Sequence, residues 1–214
     1  MTGQVYFISG IDTGIGKTYT TGYLAKIWNE QGIRTITQKL IQTGNVDISE
    51  DIEQHRQIMG TGLLVEDETK LTMPEIFSYP ASPHLATKLD GREIDFAKIE
   101  YATKRLTDKY DNVLLEGAGG LMVPLTTDLL TIDYVVEKKY PVILVTSGRL
   151  GSINHTILSL EALKSRGLVL YALAYNLNDE SQDALISNDT AEYLKAYLAK
   201  HFPEVLWIDV PVLA

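Results

Sequence analysis

The chain has 214 residues, 45% of them hydrophobic and 22% charged, with 16 Gly and 7 Pro, which excludes disordered, collagen-like and low-complexity classes. It contains 0 Cys, so disulfides, thiolate zinc sites and cysteine nucleophiles are excluded together. Nineteen basic residues against 28 acidic ones give a net charge of −9, so no general basic face for nucleic acid is expected, and an anionic ligand needs a local device.

From Met1 to Gly10 there is neither a positive leader region nor a long apolar stretch. No signal peptide or membrane span is expected, and the cytoplasm is the expected compartment. The first strand is read at Val5–Ile8. A glycine-rich turn from Gly10 to Gly16 follows, then a helix carrying Leu24, Ile27 and Trp28 and closed at Gly32. Thr35–Lys39 reads as the second strand. The span from about Gly44 to Gly91 is the least regular; it holds a helix-like piece over Ser49–Met59 and a loop with Pro74, Pro80 and Pro83. Long excursions of this kind are often substrate loops.

Further strands are expected at Val113–Leu115, Val142–Thr146, Leu168–Ala174 and Val205–Ile208. These runs are near-continuously apolar, as strands covered on both faces are. Helical periods fall at Phe96, Ile99 and Leu106, at Ile153, Ile157, Leu160 and Leu163, and at Ala191, Leu194, Tyr197 and Leu198. Strand alternating with helix predicts βαβ units. The expected architecture is a single α/β domain over residues 1–214, doubly wound, with a mainly parallel sheet and helices on both faces.

The strongest chemical signal is Gly10-Ile-Asp-Thr-Gly-Ile-Gly-Lys17-Thr18 between the first strand and helix. Phosphate binding needs converging backbone N–H groups, glycines that let the backbone approach, and a helix N-terminus behind them. Lys17 can reach the β- and γ-phosphates, and the Thr18 hydroxyl can reach Mg²⁺. The first glycine stands one residue earlier than in the common G-x-x-x-x-G-K-[ST] pattern, so the loop is a longer variant. A glycine-rich turn that binds nothing is the competing reading.

Beyond the loop the residues become family-specific. Gly10–Thr18 resembles the G-T-D-T-x-V-G-K-T loop of the dethiobiotin synthetases. Lys39-Leu-Ile-Gln-Thr43-Gly44 looks like that family's K-P-x-x-[ST]-G, and Ser82-Pro-His84 its S-P-H. Leu115-Glu116-Gly-Ala-Gly-Gly120 is similar to V-E-G-A-G-G, and Leu150-Gly-Ser-Ile-Asn154-His155 to L-G-x-I-N-H. Five blocks in order, over residues 10–155, make a specific set. The resemblance implies an ATP-dependent ligase of biotin synthesis. One amine of 7,8-diaminononanoate captures CO₂ as a carbamate, which attacks the γ-phosphate of ATP. The second amine then closes the ureido ring on the mixed anhydride, giving dethiobiotin, ADP and phosphate.

Mg²⁺ takes oxygen ligands, typically one or two carboxylates with phosphate oxygens and water. Thr18 and Glu116 suit that description, and the family pattern points to Asp51 as the third ligand; the competing reading of Asp51 is a solvated face within an acidic run. Lys17 and Lys39 are the expected catalytic cations, with a surface lysine the competing reading of Lys39. The resemblance assigns the nucleotide to Gly14, Ile15, Gly16, Lys17, Thr18 and Tyr19 of the loop. It adds Asp51, then Glu116, Gly117, Ala118 and Gly119, and finally Asn176, Leu177, Pro211, Val212 and Leu213 at the adenosine end. The glycines from Gly117 to Gly120 read either as a plain turn or as further backbone donors.

Thr13 and Thr43 are expected to donate to the carbamate. Gly151, Ser152, Ile153 and Asn154 open a helix whose N–H groups suit the substrate's tail carboxylate, with Asn154 as a helix cap the alternative; the resemblance implies that they act from the partner subunit of a homodimer, with Tyr193 nearby. His55, His84, His155 and His201 share no ligand spacing, so structural or surface roles are expected of them. Two departures from the family pattern are visible. Gly14 stands where Glu is common, and no acidic residue follows Ala214 where the family pattern has one, so a more open adenosine half is expected. A ParA/MinD-type ATPase switch is the rival reading, but Asp12 stands where those loops carry a lysine. An amidating relative needs a Cys nucleophile, which this chain lacks.

Overall fold

The computed structural model describes residues 2–178 and 183–212. Six parallel strands form one sheet: β1 (Gln4–Gly10), β2 (Thr35–Lys39), β5 (Asn112–Gly120), β6 (Val142–Ser147), β7 (Leu170–Asn176) and β8 (Leu206–Val210), in the order β2-β5-β1-β6-β7-β8. The expected parallel doubly wound sheet is therefore present.

The near-continuous apolar runs are resolved by the two-residue period of a strand. Val5 and Phe7, Val113 and Leu115, Val142 and Leu144, and Leu173 and Tyr175 enter one apolar layer. Their neighbours Ile8, Leu114, Ile143, Val145, Ala172 and Ala174 enter the other. The first layer is covered by α5 (Phe96–Thr107), α6 (Thr131–Lys138), α7 (Ser152–Ser165) and α8 (Ala184–His201), through residues such as Ile99, Val135, Leu160 and Leu194. The second is covered by Leu24, Ala25 and Trp28 of α1 (Lys17–Glu30). A fully buried Leu or Ile contributes about 1.5–3 kcal/mol relative to exposure, so these layers, more than helix propensity, fix the helices on the sheet.

The irregular span holds more order than its composition suggests. The expected helix is α2 (Glu50–Met59), entered through Ser49, whose hydroxyl accepts the Ile52 N–H and donates to Gln42 Oε1 at 2.5 Å. Glu50, Asp51 and Glu53 lie in its first turn, where acids complement the helix dipole. Gly60, with φ 72°, ends it. A Cβ on Gly22 of α1 would lie 3.2 Å from the His55 Cα, so glycine there lets α2 pack closely on α1. The rest of the span forms β3 (Gln42–Thr43) paired with β4 (Ile76–Phe77), the short α3 (Val65–Glu68) and α4 (Pro83–Asp90), with Pro83 at the first helical position.

Several elements differ from expectation, β1 among them, which runs from Gln4 to Gly10. The glycine run Gly117–Gly120 is not a turn; β5 continues through it to Gly120, which pairs with Gly10. Strand β7 is displaced two residues later, so Asn176 is its last residue, and β8 likewise extends to Val210. Helix α6 was unread, being short. No helix among the described residues is long and apolar enough to cross a membrane.

Candidate active site

β1 ends at Gly10, and the loop that follows turns on Gly14 and Gly16, with φ of 69° and 93°. A Cβ at Gly16 would lie 2.1 Å from Asn176 Nδ2, so this approach also requires glycine. Asn176, at the carboxyl end of β7, donates from Nδ2 to the Ile15 carbonyl at 3.1 Å and braces the loop. Lys17 opens α1, is buried, and donates to the Asp12 carbonyl at 3.3 Å. Burial holds its pKa below the ordinary lysine range, partly opposed by the charge of Glu116.

Beside the loop lies a compact ionic cluster. Lys39 ends β2, and parallel register sets it opposite Glu116 of β5. Its Nζ is 2.7 Å from Glu116 Oε1 and 2.5 Å from Asp51 Oδ2, and it also donates to the Gly117 carbonyl at 3.4 Å. Thr18 Oγ1 donates to Asp51 Oδ1 at 2.6 Å and lies 3.3 Å from Glu116 Oε1. The second oxygen of Glu116 lies 2.9 Å from His55 Nε2.

Burial alone would raise the pKa of the fully buried Glu116; the Lys39 charge and the His55 hydrogen bond outweigh it and hold the carboxyl well below the usual range. Burial likewise opposes the charged form of Lys39, and Glu116 and Asp51 reverse that and raise it. The surface reading of Lys39 and the solvated-face reading of Asp51 are thereby corrected. A hydroxyl and two carboxylates meeting at one point are the donor set of a hard cation such as Mg²⁺, and they fit it.

A cavity of about 730 Å³ opens over loop and cluster. Its wall includes Thr13, Gly14, Gly16, Lys17, Thr18 and Tyr19, then Lys39, Thr43, Asp51, Glu116, Ala118 and Gly119. Ile15 is fully buried beneath the loop, and Gly117 meets the cluster through its carbonyl. A second cavity, of about 520 Å³, shares Thr13 and Val123 with the first and runs to Leu158, Ser159 and Ala162 of α7.

Other expected residues stand apart. Gly151, Ser152, Ile153, Asn154 and Tyr193 line neither cavity. Gly151, with φ 91°, precedes α7. Asn154 and Tyr193 are exposed, and the buried Ser152 hydroxyl makes no hydrogen bond with the described residues. Leu177, Pro211 and Val212 lie at the ends of β7 and β8 outside both walls, while Leu213 lies outside the described residues. Sequence reasoning missed Ile41, Gln42, Gln54 and Asn178 of the cavity wall, and the contact of His55 with Glu116. The spacing of Asp51 and His55, one helical turn apart, was the available signal for the latter.

A parallel α/β sheet with a glycine-rich loop, a buried Lys and a Thr at the start of α1 defines a P-loop nucleotide-binding protein. The AAA domain family model matches residues 4–213. Solved structures share the fold: chloroplast FtsY from Physcomitrella patens aligns with a TM-score of 0.57 at 16% identity over 96% of this chain. This chain spans 57% of that protein's length. The cell division protein FtsY of Thermotoga maritima aligns with a TM-score of 0.52 at 14% identity, over 95% of this chain and 60% of its own.

Closer relatives are similar in sequence. ATP-dependent dethiobiotin synthetase BioD 2 of Pasteurella multocida is 52% identical over 204 residues, 95% of each chain. ATP-dependent dethiobiotin synthetase BioD of Chlorobaculum tepidum is 52% identical over 211 residues, 98% of this chain and 88% of its own. The chain belongs to the ATP-dependent dethiobiotin synthetase family.

Proposed function

We propose that this chain carboxylates 7,8-diaminononanoate with CO₂ and closes the ureido ring of dethiobiotin at the expense of ATP. The observation that carries this reading is the cluster of Lys39, Glu116, Asp51 and Thr18 bordering the same cavity as the Lys17 loop. Negative charge grows on carbamate and phosphoryl oxygens together during the phosphoryl step. Two buried cations fixed beforehand at that place stabilise such charge without reorganising. Lys17 serves the γ-phosphate, and Lys39 the oxygens exchanged between carbamate and phosphate. Thr13 and Thr43, on the same wall, donate to the carbamate.

Thr18, Asp51 and Glu116 hold Mg²⁺ in this reading. When bound, the ion supplies further positive charge at the phosphate oxygens. The backbone from Gly14 to Tyr19 and along Gly117, Ala118 and Gly119 cradles the phosphates. Asn176, Leu177, Pro211 and Val212 border the adenosine. The tail of the diamine runs toward a second copy of the chain, whose Gly151, Ser152, Ile153, Asn154 and Tyr193 take its carboxylate. The second cavity, which opens from Thr13 toward α7, supports that direction.

The rival ATPase-switch reading is disfavoured at Asp12. This carboxylate, in an ion pair with Arg149 at 2.7 Å, occupies the position where a switch loop needs a lysine. The test is phosphate release with ATP, Mg²⁺ and bicarbonate, with and without the diamine. Release in step with ureido product is expected; release indifferent to the diamine sinks the assignment.

A further inference from the structure

His55 is fully buried, and the expected carboxylate chemistry does not use it. Its surroundings are nevertheless built with care around one carboxylate. Thr37 and Lys39, two apart on β2, project to the same side of the strand. Asp51 and His55, four apart on α2, share one helix face. The two faces meet pairwise, Lys39 with Asp51 and Thr37 with His55, and Glu116 touches both Lys39 and His55.

Counting hydrogens fixes the direction of this chain of contacts. Arg56 has only donors, and its NH1 donates to Thr37 Oγ1 at 2.9 Å. A hydroxyl can accept a second bond, so the direction is set from the other end: the ionised Glu116 Oε2 only accepts, so His55 Nε2 carries the ring proton and donates to it at 2.9 Å. In the neutral ring Nδ1 then accepts from the Thr37 hydroxyl, 3.0 Å away. The Nε2 bond fixes the carboxylate by one oxygen and turns the other, Oε1, toward Thr18 and Lys39. Arg56 is itself anchored by Asp67, at 2.8 and 2.9 Å.

We propose that His55 is a positioning residue: with Nε2–H on the carboxylate and Nδ1 on the Thr37 hydroxyl, it orients Glu116 for the divalent cation and the phosphates. This rests on the reading of Glu116 as a cation ligand. Groups that hold a ligating carboxylate in this way typically matter about 10–100-fold for metal affinity or activity. A plain packing role would make no such demand on the donor.

The test measures Mn²⁺ affinity by electron paramagnetic resonance in the presence of a non-hydrolysable ATP analogue, which needs no turnover. His55→Leu removes the donor and is expected to weaken Mn²⁺ binding by about tenfold or more. His55→Gln places an amide N–H near the former Nε2 and is expected to restore most of that loss. Near-ultraviolet circular dichroism reports whether each variant is folded. A folded His55→Leu protein with wild-type Mn²⁺ affinity overturns the proposal, as does a folded Gln variant as impaired as Leu. If the Leu variant does not fold, Thr37→Val decides instead: weakened Mn²⁺ binding is expected, and unchanged binding overturns the proposal. A His55 effect on Mn²⁺ without diamine-dependent turnover would leave the positioning role standing and remove only the ligase reading.

Discussion

Lys39 and Glu116 are register partners on adjacent parallel strands, and their charged groups meet at 2.7 Å in a place where Glu116 is fully buried. The pair is thus written into the sheet, and the lysine has two duties. It neutralises a carboxylate that water cannot reach, and it supplies a cation to the cavity. Lys39→Ala is expected to lower turnover by about 10²–10³, as the loss of a preorganised charge-stabilising group does. It is also expected to cost about 3–5 kcal/mol of stability, because one partner of a buried pair is left behind. Parallel turnover and urea unfolding check both. Near-normal turnover removes Lys39 from the catalytic account.

Acid should unfold the protein through its paired carboxylates. Burial opposes the charged forms of Glu116 and Asp67, but Lys39 and His55 on one, and Arg56 with Thr72 on the other, hold both below the ordinary range. The unfolded chain therefore binds these protons more readily than the folded one. Their contribution is complete above the unfolded values of about 4 and is lost as pH falls through the folded values. Lys39, raised in the folded state, acts oppositely: its contribution holds below about 10.4 and fades as pH rises through its folded value. Urea unfolding between pH 7 and 3 should show an acid limb that is shallower in Asp67→Asn. An identical limb in that variant would contradict the assignment.

The Arg56–Asp67 pair ties α2 to the span that follows it, with both side chains buried. Asp67→Ala strands a buried guanidinium and is expected to cost about 3–5 kcal/mol. Replacing both residues with Met and Leu should cost clearly less, since no charge is then left unpaired. Chemical denaturation of the two variants separates the cases; equal losses would mean that packing alone is at stake.

Much of this fold was legible because periodicity reports burial. The strand containing Val142 to Thr146 and the helix over Ser49–Met59 follow directly from apolar runs and caps. The glycines after Glu116 left a turn and a set of backbone donors equally open; β5 in fact runs on through them, and Gly120 pairs with Gly10 of β1. Lys39 was legible only by resemblance. Nothing local distinguishes it from a surface lysine; its partners lie 12 and 77 residues away and meet it only through the sheet and α2. For His55 the sequence offers only its helical spacing from Asp51, because its partners come from β2 and β5.

Two loop glycines should behave differently. Gly14 has a positive φ but open space around its Cα, so Gly14→Ala should cost only about 1–2 kcal/mol of backbone strain and retain nucleotide binding. Gly16→Ala adds a collision with Asn176 to that strain, and nucleotide binding should be lost. Titration with a fluorescent ATP analogue compares them; equal binding by the two variants would contradict the loop geometry.

The proposed second copy of the chain can be tested at α7. Leu158 is 62% exposed and lines the second cavity beside Met122. If that surface faces a partner subunit, Leu158→Asp should shift sedimentation velocity toward the monomer and raise KM for the diamine more than KM for ATP. A monomeric wild-type chain with full activity would refute the shared substrate site.

In the proposed reaction a carbamate oxygen, derived from CO₂, attacks the γ-phosphate and leaves with phosphate when the second amine closes the ring. Turnover with ¹⁸O-labelled bicarbonate, timed to precede exchange with water, should therefore place one labelled oxygen in the released phosphate and leave label in the ureido carbonyl. Phosphate that carries only water-derived oxygen would contradict the account.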